Sequence, residues 1–230
     1  MTASAVESQP LARVLANRRW EYRRVPYPHV IARKVFRPGV YAEIVQAFEE
    51  YAASEGVLKY TEDHDFVGGP LTTAAPEPLR IFLSEEWQQL FARMFDVELI
   101  PHVSAGIHRH RPGSRSGFVH NDIKVETSAD GVECVRAIAV LFYLNSPNWR
   151  LGDGGGTGIY RHWSNPVDTP LSVVTPLDNS LFAFACSPFS YHSFLSNRLP
   201  RDSIVLFLYR SLAGFEAQWS YEGVAQYADG

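Results

Sequence analysis

The chain changes its hydrophobic rhythm part-way along. In the first third, apolar residues recur at helical spacing. Val40, Ile44, Val45, Ala47, Phe48 and Tyr51 predict a helix that starts at Arg37-Pro38-Gly39 and runs to about Ser54. Gly56 and Gly68-Gly69-Pro70 interrupt it with a loop. A second helical stretch is predicted from near Pro76 to about Phe95, with Leu79, Phe82, Leu83, Trp87, Leu90, Phe91 and Met94 as its core-facing stripe. Ahead of both, Val25 to Ile31 holds two prolines and reads as an extended edge segment. Residues 1–12 read as a flexible lead.

From about Val97 the period shortens. Short β-rich runs alternate with Gly, Pro, Asn and Asp clusters, the pattern of an antiparallel sandwich or barrel. Strands are predicted near 99–110, 116–122, 135–144, 157–162, 171–174, 180–185, 190–195 and 203–211. The expected class is therefore mainly β with N-terminal helices. One domain over residues 1–230 is expected, with its β core over 97–212. The run Leu151-Gly152-Asp153-Gly154-Gly155-Gly156 is a loop and not a phosphate cradle, because it lacks the Lys-Ser/Thr ending and a following helix.

Composition narrows the partners. A formal charge of −4 and a pI near 6.1 give no electrostatic footprint for nucleic acid. Cys134 and Cys186 are the only cysteines and do not make a disulfide framework. A reduced, cytoplasmic setting is expected. Met1 to Pro10 lacks the apolar stretch of a signal peptide, and no run is long and apolar enough to span a membrane. Oligomeric state is not legible.

The candidate chemistry lies in His120-Asn121-Asp122 and in His192 far downstream. Two histidines and one carboxylate are the ligand set of a non-haem iron(II) site, which leaves open positions for a cosubstrate and O2. If 116–122 is a strand, His120 and Asp122 share a face. In a strand starting near Arg201, Arg201 and Ser203 also share one. An arginine fork beside an iron site suits a dicarboxylate, and the arrangement suggests 2-oxoglutarate with its distal carboxylate on Arg201 and a hydrogen bond from Ser203.

Several blocks carry a family resemblance. Arg111-Pro112-Gly113 precedes His120-Asn121-Asp122. Arg136-Ala137-Ile138-Ala139-Val140-Leu141-Phe142-Tyr143-Leu144-Asn145 and Gly154 to Tyr160 follow. Pro176 to Phe184 then leads to Tyr191-His192 and Arg201-Asp202-Ser203-Ile204. In order and approximate spacing these resemble the prolyl-4-hydroxylase-like branch of the Fe(II)/2-oxoglutarate-dependent oxygenases. The resemblance implies a double-stranded β-helix (jelly-roll) core flanked by α-helices. It also implies Fe(II) on His120, Asp122 and His192, with 2-oxoglutarate and O2 consumed in hydroxylating an unactivated C–H bond. The Asp at 122 favours hydroxylation, because halogenating relatives leave that position empty. The family often has His-x-Val and a Gly before the Arg; here stand His192-Ser193-Phe194 and Pro200. Arg198 is the alternative to Arg201, and the strand-like Ser203-Ile204 run favours Arg201.

Around this core, Tyr143 reads as core or as a residue reaching the cosubstrate. His108 and His110 read as pocket wall, with Arg109 pointing away to the surface. Trp149, Trp163 and the loop Tyr60 to Phe66 are expected at a substrate entrance, and Trp163 with His108 and His110 forms the candidate substrate pocket. His29, His64, His102 and His162 read as surface or structural. Cys186 reads as a buried thiol before a metal ligand. A small-molecule substrate, an amino acid or natural-product intermediate, is expected. The alternatives are a peptidyl or prolyl hydroxylase, a cupin-like oxygenase that does not use 2-oxoglutarate, and a noncatalytic small-molecule-binding jelly roll.

Overall fold

The computed structural model describes residues 11–16, 19–62 and 65–219. Most of the predicted N-terminal lead, Arg18 and His64 lie outside the described residues. Leu11 and Ala12, expected in that lead, begin a short helix, α1 (Leu11–Val14), with Leu11 and Val14 buried. Then come β1 (Glu21–Arg23), β2 (His29–Arg33), α2 (Pro38–Ala53), β3 (Lys59–Thr61), β4 (Phe66–Pro70), α3 (Glu77–Arg80), a 3-10 turn (Ile81–Leu83) and α4 (Glu85–Phe95). The β-rich part holds β5 (Val103–His110), β6 (Val125–Thr127), β7 (Glu133–Leu144), β8 (Thr157–Ile159), β9 (Ser172–Val174), β10 (Ser180–Ala185), β11 (His192–Phe194) and β12 (Arg201–Ser211). α5 (Leu212–Gln218) follows.

Three expectations are corrected. The second helical stretch is not continuous: Ser84 is extended, at φ −72° and ψ 145°, and N-caps α4 ahead of Glu85 and Glu86. Acidic residues in a first turn favour starting a new helix there. Residues 116–122 are not a strand; they run as irregular chain with one β-bridge, His120 to His192. The proline-containing segment is not a sheet edge. β2 is flanked by β1 and β10, and Pro26 and Pro28 sit just before it, where a missing N–H costs no ladder bond.

A nine-stranded sheet runs β1-β2-β10-β7-β12-β5-β4-β3, with β6 paired to the start of β7. A smaller sheet runs β11-β8-β9. Alternation along the central strands builds two layers. Ile138, Val140, Phe142, Leu181, Ala183, Ile204, Leu206 and Leu208 face the helices and pack with Phe36, Ile44, Phe48, Phe82, Trp87 and Phe91. Ala139, Tyr143, Phe182 and Phe184 face the smaller sheet and meet Ile159 and Val174. The helices thus seal one face of the large sheet, and its other face becomes the inner wall of a two-sheet cavity. Among the described residues no helix is long and apolar enough to cross a membrane.

Candidate metal centre

His120, Asp122 and His192 converge, their ligand atoms all within 4.8 Å of one another. His192 Nε2 lies 3.3 Å from Asp122 Oδ2, and His120 Nε2 lies 3.7 Å from Asp122 Oδ1. Reciprocal backbone hydrogen bonds of 2.8 and 3.0 Å between His120 and His192 clamp the segment before Asp122 onto β11. That bridge, and not a strand over 116–122, brings the three together.

The imidazoles are oriented alike. His120 Nδ1 donates to the Phe118 carbonyl at 2.9 Å, and His192 Nδ1 donates to the Ser190 carbonyl at 3.0 Å. A carbonyl only accepts, so Nδ1 carries the proton and Nε2 is the nitrogen that faces Asp122. This is the tautomer a metal needs, fixed from behind. Burial would raise the Asp122 pKa, but His192, His120 and Arg136 hold it well below the usual carboxylate range. Burial likewise works against a charged His192, and Asp122 outweighs it and lifts the His192 pKa. A mutually attracting carboxylate–imidazole cluster with two Nε2 atoms presented together fits a divalent cation.

The second feature is a buried cation. Arg201 and Ser203 are 3% and 0% exposed and share the inner face of β12. Ser203 lies between His108 of β5 and Tyr143 of β7, and Arg201 lies opposite His110. Arg201 Nη1 donates to His110 Nδ1 at 3.2 Å, and Nη2 donates to Thr157 Oγ1 at 3.4 Å. Thr157 Oγ1 also shares a 2.7 Å hydrogen bond with the Tyr143 hydroxyl. The guanidinium carbon lies 5.0 Å from both the Tyr143 and the Phe194 ring centres, where the π faces soften its burial. Burial pushes the Arg201 pKa down, with Tyr143 opposing. Arg201 Nε and Ser203 Oγ are buried without a hydrogen-bond partner.

No carboxylate among the described residues pairs with Arg201, and the sheet explains why. Asp202, its neighbour, points to the opposite face and is held there by Arg109 at 2.9 Å. Arg109 also reaches Glu49 at 2.6 Å, so it is half-buried between sheet and helix and not the surface residue expected. Alternation has separated Asp202 from the cation beside it in sequence. A buried charge without a counter-charge costs several kcal/mol, so this pocket is built for an anion.

Other expectations sort as follows. His108 faces inward and stacks on Phe66, ring centres 4.0 Å apart; His110 stacks on Phe194 at 3.9 Å. His110 therefore belongs to the Arg201 pocket. Trp149 is corrected: it is 5% exposed, donates to the Gly154 carbonyl and lies where a side chain at Gly155 would fall, so it braces a loop. Trp163 is 62% exposed and its ring meets His162, outside the group just described. Cys186 is a buried free thiol whose pKa burial pushes up, and it is not one of the three clustered ligands. Thr157 and Phe194 were not singled out from sequence, although both lie within or beside the matched blocks. Arg136 was quoted there without a role; it stands 3.8 Å from Asp122.

No family model matches the sequence, and a search of curated proteins returned no match. Solved structures do match. A prolyl-4-hydroxylase from Pseudomonas putida aligns at a TM-score of 0.60 and 16% identity, over 79% of this chain and 92% of that one. A prolyl hydroxylase from Trichoplax adhaerens, solved with a hypoxia-inducible-factor peptide, aligns at 0.60 and 19% identity, over 84% and 87%. The non-haem α-ketoglutarate-dependent carbocyclase SnoK of nogalamycin biosynthesis aligns at 0.56 and 14% identity, over 79% of each. At these identities the likeness is one of fold. The chain has the fold of the prolyl-4-hydroxylases and related 2-oxoglutarate/Fe(II) oxygenases.

Proposed function

We propose that the chain is a single-domain Fe(II)- and 2-oxoglutarate-dependent oxygenase, with its two facing sheets forming a double-stranded β-helix. It hydroxylates an unactivated C–H bond of a small molecule, and 2-oxoglutarate and O2 leave as succinate and CO2 and the new hydroxyl. The observation that carries the reading is the pairing of two features between the two sheets. One is a two-histidine, one-carboxylate cluster. The other is a buried arginine without a carboxylate.

His120, Asp122 and His192 would hold the iron, whose contribution when bound is the activation of O2. Arg201 would take the distal carboxylate of 2-oxoglutarate in bidentate fashion, with Ser203 Oγ donating a further hydrogen bond. Tyr143, through Thr157, holds the guanidinium in position. Thr157 pairs with Phe194, two residues along β11 from His192. Two strand residues span about 7 Å, comparable to the length of a five-carbon dicarboxylate. Arg201, and not Arg198, has the buried inner-face position.

A peptide substrate is the second reading, supported by the peptide-bound Trichoplax neighbour. The experiment that tests the main reading is succinate formation by protein reconstituted with iron(II), 2-oxoglutarate and O2. The wild type is expected to turn over, and Asp122→Ala and His192→Ala to be silent. Activity surviving in both variants would sink it.

A further inference from the structure

The inner wall carries a second arginine, and its placement follows from an irregularity in the sheet. Along β7, Ile138, Val140 and Phe142 face the helices, so strict alternation would send Arg136 there too. It does not. The β7–β12 register shifts between Leu208 and Tyr209: Leu208 lies opposite Ile138, but Tyr209 lies opposite Arg136. Ala137 is the extra residue and joins Ile138 in the helix-side core. A bulge re-aims the side chains beyond it. Here it turns Arg136 through the sheet onto the metal side.

Arg136 arrives there with only part of its hydrogen-bonding capacity spent, on the Tyr209 hydroxyl. The guanidinium carbon lies 3.6 Å from the Phe207 ring centre. Nη1 is 3.8 Å from Asp122 Oδ1 and Nη2 is 3.6 Å from Glu126 Oε1. Both are ion-pair distances, longer than the ~2.7–2.9 Å of a charge-assisted hydrogen bond. Nε is buried with no hydrogen-bond partner. Glu126 is already engaged, by Lys124 at 2.9 Å and by the Tyr209 hydroxyl at 2.8 Å. A metal held by Asp122 would take up the other neighbouring negative charge and leave a fixed, planar cation at the edge of the metal site. Phe207 lies against that cation, and a second apolar surface, Phe118, 49% exposed, lies by the metal ligand His120 with ring centres 5.0 Å apart.

We propose that Arg136 binds a carboxylate of the substrate, so that the substrate is a small free acid with an apolar body. The inference rests on the oxygenase reading above. A guanidinium fork matches two carboxylate oxygens and gains much less from a single neutral carbonyl. Because Arg136 lies so near Asp122, the carbon attacked is only a few bonds from that carboxylate. Glu126 and Tyr209 act as positioning residues that hold the arginine against Phe207.

The test is binding, read by titration calorimetry on manganese(II)-loaded protein saturated with 2-oxoglutarate, so that Arg201 is occupied. The probes are the twenty amino acids and a series of aryl- and alkylcarboxylic acids, each beside its carboxamide. At least one acid is expected to bind tenfold or more tighter than its amide. That preference should vanish in Arg136→Gln and largely persist in Arg136→Lys. Unchanged 2-oxoglutarate affinity in Arg136→Gln shows that its fold and cosubstrate pocket are intact. Equal binding of acid and amide, no binding by any acid, or a preference that survives Arg136→Gln overturns the proposal. So does loss of 2-oxoglutarate binding in Arg136→Gln, which would assign the residue to the cosubstrate. Failure of the wild type to bind 2-oxoglutarate overturns the oxygenase reading and this proposal together.

Discussion

At the scale of single residues, the site is two charges made to wait for partners. Arg201 is buried, and the carboxylate next to it in sequence faces away. Truncating one member of a buried charge pair costs about 2–5 kcal/mol, and each 1.4 kcal/mol is about tenfold. Arg201→Ala is therefore expected to weaken 2-oxoglutarate by roughly 30-fold or more, measured as the concentration that half-saturates succinate release. Arg198→Ala should leave that concentration within about twofold. The metal ligands give a pH signature. Asp122 lifts the His192 pKa in the metal-free protein, against the effect of burial. A raised histidine contributes stability that is complete below its unfolded pKa of roughly 6.5 and is lost as pH rises through the folded value. The depressed Asp122 contributes above roughly pH 3.9 and is lost only in strong acid. The His192–Asp122 contribution, read as the melting temperature of metal-free wild type minus that of Asp122→Asn so that the oppositely shifted His29 cancels, should thus fall as pH rises from 6 towards 8. Divalent metal, which binds neutral imidazole, should reverse that slope. A metal-free difference that grows over this range contradicts the ion pair.

At the scale of elements, period and alternation were readable, and their exceptions were not. The helical stripe from Val40 to Tyr51 became α2, and the apolar run from Val135 to Leu144 became the central strand β7. The Ala137 bulge could not be seen, because Ala is at home on either face and nothing local marks the skipped residue. Inserting one residue between Leu208 and Tyr209 should give Ala137 a partner, restore alternation and drive the Arg136 guanidinium towards the apolar helical layer. A loss of about 2 kcal/mol or more is expected, read as the urea midpoint. A neutral outcome would mean that the bulge does not place the arginine. The break at Ser84 escaped for a similar reason, since the apolar stripe carries on across it and only the Ser-Glu-Glu cap hinted at a new start.

At the scale of the whole molecule, a polar clamp joins the layers behind the site. Arg109 of β5 holds Asp202 of β12 and Glu49 of α2, and Asn145 donates to both carboxylates. Asn145 adopts a left-handed backbone, φ 58°, which an Asn tolerates better than most residues. Asp202 is 5% exposed in its side chain and Arg109 is 31% exposed, so the pair lies between a surface and a buried bridge. Arg109→Ala is expected to cost about 1–3 kcal/mol, less than the loss of a fully buried partner. It should also loosen the start of β12, seen as faster hydrogen exchange there. The sequence by itself determined the class of the fold and the chemistry-bearing residues. Periodicity is a local property, and His120, Asp122, His192, Arg201 and Ser203 stand in blocks whose order is legible along the chain. Only the tertiary structure decided what those residues face. The clamp of His120 on β11 and the turning-in of Arg136 depend on strand register. Register is a relation between segments far apart in the chain, and no window of sequence contains it.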